Sequence, residues 1–272
     1  MKKNIEQEKA IAQLEGPVIL ISCPGSGKTT TLLRRINHML EVGIPPKKIL
    51  MITFTKAAAQ EMSVKFKKKF GEPNGITFST IHALCLKILM TYGGLSAENI
   101  IKTSDQWKFL LETARKCQSV CDPAKAAGNF QMLYSAAMNN RMSPSEVNPK
   151  DIKGISRKDF LFMSEEYRRM KERTGYIDFD DMLVKAYELM TGNLQVLRQL
   201  RERWDYIQVD EYQDVNYLQR DLVYLLAGEK KTLCVAGDDD QSIYRFRGAR
   251  PEIMLNFPKD FPQAHVFCIS TN

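Results

Sequence analysis

No apolar run in these 272 residues approaches the roughly 20 needed to cross a bilayer as a helix, so no membrane association is expected. No long apolar core follows the two N-terminal lysines, which argues against a secretory signal. The six cysteines contain no two pairs with the spacing of a zinc site. Cys117 and Cys121 stand four apart and could share a helix face, but no second pair joins them. The others, Cys23, Cys85, Cys234 and Cys268, fall in or beside apolar strands or in an apolar helix. They read as small buried hydrophobes of a reducing, cytoplasmic compartment. No internal repeat or low-complexity tract is present, which excludes solenoid and collagen-like architectures.

Hydrophobic residues make up 44% of the chain and charged residues 26%, an ordinary balance for a globular protein with one large domain or two smaller ones. There are 39 basic against 32 acidic residues, a formal charge of +7. The excess suits a polyanionic partner without identifying one. Basic clusters at Lys65–Lys69 and Arg168–Lys171 are either phosphate contacts or solvated helix faces.

The run Ser22-Cys23-Pro24-Gly25-Ser26-Gly27-Lys28-Thr29 follows the apolar stretch Val18–Ile21 and opens an amphipathic one. Strand, glycine turn and helix in that order are what a triphosphate-cradling loop requires. Gly25 and Gly27 let successive N–H groups point at phosphate oxygens, and the helix adds the positive end of its dipole. Lys28 can neutralise the β- and γ-phosphates, and the Thr29 hydroxyl can ligate Mg2+. Ser22 stands where the simple pattern has its first glycine.

Two further constellations follow apolar runs. Asp210 and Glu211 end Tyr206–Val209: Asp210 is placed to hold Mg2+ against the triphosphate and Glu211 to polarise the attacking water. Gln241, after Thr232–Ala236, suits γ-phosphate sensing. Tyr244 and Phe246 alternate with Arg245 and Arg247, a pattern suited to unstacked bases beside phosphates; alternatively, one ring is core and the arginines pair with nearby aspartates.

Strands are expected at Val18–Ser22, Ile49–Phe54, Ile76–Phe78, Tyr206–Val209, Thr232–Ala236 and His265–Ile269. Helices are expected at Thr29–Leu40, Lys56–Phe70 and Ile81–Leu89. From about Gly94 to Thr174 no strand is evident, and Asp105–Cys117, Ala124–Met138 and Arg157–Arg173 read as helices. The expectation is an α/β parallel sheet flanked by helices, a P-loop NTPase core in two parts, 1–93 and 175–272, interrupted by a helical insertion, 94–174.

The motifs, in this order, resemble those of the N-terminal half of UvrD/Rep-type superfamily-one helicases. Asn4-Ile5-Glu6-Gln7 resembles the family's adenine-reading motif and implicates Gln7. Residues 22–29 are its phosphate loop; Thr53–Met62 and Thr80–Cys85 resemble two strand-contacting motifs. Ile177–Leu183 matches re-entry into the first domain, and Val209–Asn216 and Gly237–Ala249 lie close to the family pattern. The resemblance implies a RecA-like ATP-binding domain of a 3′→5′ DNA helicase, with ATP and Mg2+ as ligands and single-stranded DNA and its junctions with duplex as partner. Pro24, Gly25, Ser26, Gly27, Lys28, Thr29 and Thr30 would hold the nucleotide. Lys28, Asp210, Glu211 and Gln241 would serve hydrolysis, and Phe54, Thr55, His82, Tyr244 and Phe246 would touch DNA. Gln213 and Asp214 would couple the two sites. Phe246 stands where relatives often carry tryptophan, Lys56-Ala57 replaces a polar-then-lysine pair, and Thr30 replaces an arginine. Ile269–Asn272 resembles the start of the next family motif, so a second RecA-like domain is expected beyond it. A non-catalytic nucleotide switch or nuclease-associated binding subunit of the same fold, and a small-molecule P-loop kinase, are the rival readings.

Overall fold

The computed structural model describes residues 4–23, 25–148, 150, 152, 154–229, 232–238 and 250–269. They form two compact units, one of residues up to 84 and from 190 onward, the other of residues 85–189.

The first unit carries the sheet. Its elements are α1 (Ile5–Ala12), β1 (Val18–Ser22), α2 (Lys28–Glu41), β2 (Ile49–Thr53), α3 (Lys56–Phe70) and β3 (Thr77–Thr80). The helix α4 (Ile81–Tyr92) begins there. Six strands pair in parallel in the order β3-β2-β4-β5-β1-β6, where β4 is Tyr206–Val209, β5 Leu233–Gly237 and β6 His265–Ile269. The strands β2 and β5 are buried along their whole length and read as continuous apolar runs, as parallel strands covered on both faces do. Side chains of β1, α2, β2 and α3 make one core, with Leu20, Leu32, Ile36, Met51 and Phe66 almost fully enclosed.

The order of the strands positions the site. The successive strands β1 and β2 are separated in the sheet by β5 and β4, so the loops leaving the C-terminal ends of β2, β4, β5 and β1 stand side by side. Such a row of strand ends is where open parallel sheets bind ligands.

The second unit is helical, with α5 (Thr103–Ala114), α6 (Pro123–Asn139) and α7 (Arg157–Thr174); the unit boundaries fall inside α4 and α8 (Phe179–Gly192). Its core is aromatic: the Phe130 ring lies 5.3 Å from Tyr134 and 5.7 Å from Phe160, and Tyr134 and Tyr167 meet edge to face at 5.5 Å. Within this core Lys171 is buried against Asp178 at 3.1 Å and Asp181 at 2.7 Å. Burial opposes its charge, but the two carboxylates more than offset that and hold the ammonium protonated.

Several sequence readings change. Arg168 pairs with Glu165 and Glu172 on the helix surface, whereas Lys171, three residues on, faces the core, so the basic run at 168–171 is not one face. Lys65 and Lys67 pair with Glu61 and Glu72. The helix α5 stops at Ala114, so Cys117 and Cys121 do not share a helix face. Cys23 and Cys268 are exposed rather than buried, and Cys268 lies on the edge strand β6, where only Ile269 is buried. No helix among the described residues is long and apolar enough to cross a membrane. The structure adds the helices α1, α8, α9 (Leu194–Arg203), α10 (Tyr217–Ala227) and α11 (Pro251–Asp260), which are not among the helices expected from the sequence.

Asp180 offers a stability test. Burial, then the charge of Asp178, raises its carboxyl to about 6, although Ser135 and Asn139 donate to its Oδ1. A carboxyl raised on folding penalises the folded state at pH values above both its pKa values, and the penalty fades as pH falls from about 6 towards 4. Asp180→Asn keeps an acceptor oxygen and removes the charge. Its melting temperature is expected to exceed that of the parent at pH 8 and to match it near pH 4; a deficit at pH 8 would contradict this account.

Candidate nucleotide site

The phosphate loop joins β1 to α2. Gly25 and Gly27 have φ of +73° and +87°, backbone that L side chains rarely adopt. Gly27 also caps α2, and a Cβ there would stand 3.2 Å from Gln7 Nε2. That amide nitrogen donates to the Ser26 carbonyl at 2.8 Å, so α1 is tied to the loop. Asn4 starts α1 by accepting from the backbone N–H groups of Glu6 and Gln7. Ser26 is buried and its hydroxyl oxygen has no hydrogen-bond partner among the described residues. Thr29 lines the cavity beside the loop, whereas Thr30 is exposed. Pro24 lies outside the described residues.

Lys28, the first residue of α2, brings its ammonium 2.5 Å from Glu211 Oε2 and 3.5 Å from Asp210 Oδ1. The two acids arrive from the far end of the sequence because β4 stands two strands from β1. Asp210 N donates to the Ile52 carbonyl at 2.9 Å, continuing the β2–β4 ladder past the last strand residue. Glu211 then turns left-handed, with φ +52°, a conformation that costs a non-glycine residue roughly 1–2 kcal/mol. Burial raises the Asp210 carboxyl to about 6; Lys28 pulls it down and Glu211 pushes it up.

Gln213 connects this cluster to the next strand. Its amide donates to Glu211 Oε2 at 2.7 Å, and its carbonyl oxygen accepts from Asp238 N, just past β5, at 3.0 Å. A Cβ at Gly237 would stand 2.5 Å from that carbonyl oxygen and 2.7 Å from Met254 Sδ, so a side chain there would push the Gln213 amide out of its place. Ser22 closes the chain by donating to the Gly237 carbonyl at 3.2 Å. Hydrogen bonds therefore run from the end of β1 through β5 to the acids of β4.

A cavity of about 320 Å³ opens here, lined by Thr29, Thr53, Phe54, Asp210, Glu211 and Asp214 among others. Asp214 is buried, with one carboxylate oxygen unpaired among the described residues; burial, then Glu211, raises it to about 6 against the pull of Lys28. Thr55 reaches the same cavity and caps α3, accepting from Ala58 N at 3.1 Å. His82, partly buried in the first turn of α4, does not line it; lost solvation lowers its imidazole to about 4, so it is neutral at pH 7. Gln241, Tyr244 and Phe246 lie outside the described residues. The left-handed turn at Glu211 and the bond from Gln7 to Ser26 left no mark in the sequence.

The fold and site define a phosphate-loop α/β protein, with a lysine-bearing loop after β1 facing paired carboxylates after β4. The model of the UvrD/REP helicase N-terminal domain matches residues 3–262, and the chain belongs to that family. PcrA, an ATP-dependent DNA helicase of Staphylococcus aureus, is 34% identical over 275 residues, which span 99% of this chain and 37% of that protein. PcrA of Staphylococcus epidermidis matches to the same extent. YjcD of Bacillus subtilis is 34% identical over 278 residues, spanning 99% of this chain and 36% of its own length. The chain thus spans little more than a third of the curated relatives it matches.

Proposed function

We propose that this chain is the ATP-binding and single-stranded-DNA-binding part of a 3′→5′ DNA helicase that works in the cytoplasm in DNA repair or replication. The observation that supports it best is the Lys28–Glu211–Asp210 cluster at adjoining strand ends, with the glycine loop beside it. In this reading residues 94–174 are an insertion between the two parts of the nucleotide domain, 1–93 and 175–272. A second RecA-like domain, in keeping with the greater length of the relatives, completes the site from the other side.

Gln7 contacts the adenine and residues 24–30 hold the phosphates. As ATP binds, the Lys28 ammonium passes from Glu211 to the β- and γ-phosphate oxygens. Glu211 is thereby released to orient the attacking water and accept its proton. Gln213, bonded to the same carboxylate oxygen, keeps Glu211 in place. Thr29 and Asp210 supply a hydroxyl and a carboxylate to one cavity, a hard-oxygen set that suits Mg2+ shared with substrate phosphates. When bound, the ion offsets charge that develops on the phosphates. Gln241 senses the γ-phosphate. Phe54, Thr55, His82, Tyr244 and Phe246 form the DNA track, and Gln213 and Asp214, beside Glu211, couple it to the nucleotide site.

Two measurements test this. In the full-length protein ATP turnover is expected to rise on adding single-stranded DNA, whereas the 272 residues alone should turn over little; a small-molecule kinase or a non-catalytic switch would show no such stimulation. Phe246→Ala is expected to weaken single-strand binding at fixed salt by about 1–3 kcal/mol, one base stack. Unchanged affinity with a collapsed melting temperature would make the ring part of the core instead.

A further inference from the structure

We infer that Glu8 and Arg34, with Arg35 beneath them, are positioning residues that hold α1 as a brace on the phosphate loop. The inference rests on the nucleotide reading above and names the parts that set loop affinity. Arg34 and Glu8 form a two-pronged ion pair, Nη1 to Oε1 at 2.7 Å and Nη2 to Oε2 at 2.9 Å. The neighbouring Arg35, 2% exposed, sends its Nη1 to the Ala10 carbonyl at 2.5 Å. Both arginines belong to α2, whose first residue is Lys28, and both grip α1 next to or near Gln7. Gln7 in turn donates to the Ser26 carbonyl and packs against Gly27. The loop meets α1 through Gln7, α1 meets α2 through the two arginines, and the loop runs directly into α2, so the three close on one another.

That closure has a physical consequence. A glycine loop with two left-handed residues has many alternative conformations, and each must be excluded before its N–H groups can converge on a phosphate. The Gln7 amide excludes some of them by fixing the Ser26 carbonyl, but only while α1 itself is fixed. A bidentate guanidinium–carboxylate pair sets orientation as well as distance, and a buried arginine hooked on the carbonyl of Ala10 sets where the last part of α1 lies. The brace thus acts on phosphate binding whether or not a base is present.

Inorganic tripolyphosphate, which has no base, is the probe, titrated into the 272-residue chain. Gln7→Ala and Glu8→Ala are each expected to weaken its binding about three- to tenfold, the worth of one polar contact. The double variant should lose little more than either alone. The exchange Glu8→Arg with Arg34→Glu should restore affinity, and the melting temperature should stay close to that of the parent. Arg35 is left intact because its removal would open the core. Unchanged tripolyphosphate affinity in Glu8→Ala, with binding lost in Lys28→Ala, would overturn the brace while leaving the nucleotide site standing. Weakened binding that tracks a fallen melting temperature and is not rescued by the exchange would also overturn it. No effect of Lys28→Ala would remove the nucleotide reading itself.

Discussion

Replacing Lys28 by alanine is expected to lower ATP turnover by at least about 10²–10³-fold, the usual cost of removing one preorganised charge from a developing oxyanion. The expectation has two parts. Lys28 is the cation placed between the loop and the acids, 2.5 Å from Glu211 and 3.5 Å from Asp210, and in the proposed role it is what meets the β- and γ-phosphates. Its loss also leaves two neighbouring carboxylates without their counter-charge. Asp210, already raised to about 6 by burial, should rise further and take up a proton near neutrality. Metal-dependent nucleotide binding should then weaken more at pH 6 than at pH 8, because Asp210 must be ionised to serve as a ligand. Steady-state hydrolysis and nucleotide affinity at the two pH values are the measurements. Near-parental turnover in a folded variant would remove Lys28 from the site.

Glu211→Gln is expected to separate binding from hydrolysis. The amide cannot accept the proton of the attacking water, and loss of a general base costs about 10²–10⁴ in rate. Its carbonyl oxygen can still accept from the Gln213 amide, so the hydrogen-bond chain to β5 is kept. What disappears is the ion pair that occupies Lys28. ATP affinity should therefore equal or exceed that of the parent, since the ammonium no longer has to leave the Glu211 carboxylate, the nearer of its two partners. Equilibrium binding beside single-turnover hydrolysis checks both halves. Weakened binding with retained turnover would show that Glu211 is a ligand and not the base.

Much of the sheet was legible because parallel strands buried on both faces are short apolar runs with turn residues behind them. The strands β1, β4 and β6 have the bounds expected, and β2, β3 and β5 differ by one or two residues at their ends. The long helices α2, α3, α6 and α7 were legible from their periodicity. The helix α1 was not, because eight residues carry too few turns for a period to emerge; its mark is the Asn4 cap. The buried Lys171 was misleading because a run of basic residues shows charge but not which member meets buried partners, here Asp178 and Asp181.

By itself the sequence determined the chemistry available: a glycine loop with a lysine after one apolar strand, paired acids after another, and a helical stretch between. These are local matters of residue type and spacing. Only the tertiary structure decided that Lys28 and Glu211, 183 residues apart, meet at 2.5 Å, because periodicity tells which face of an element is apolar and not which element will cover it. The choice of neighbours put β5 between β4 and β1. That choice created the chain of bonds through Gln213 and the close fit at Gly237. The grip of Arg34 and Arg35 on α1 was decided in the same way, by two helices packing together, and no spacing in the chain announces it.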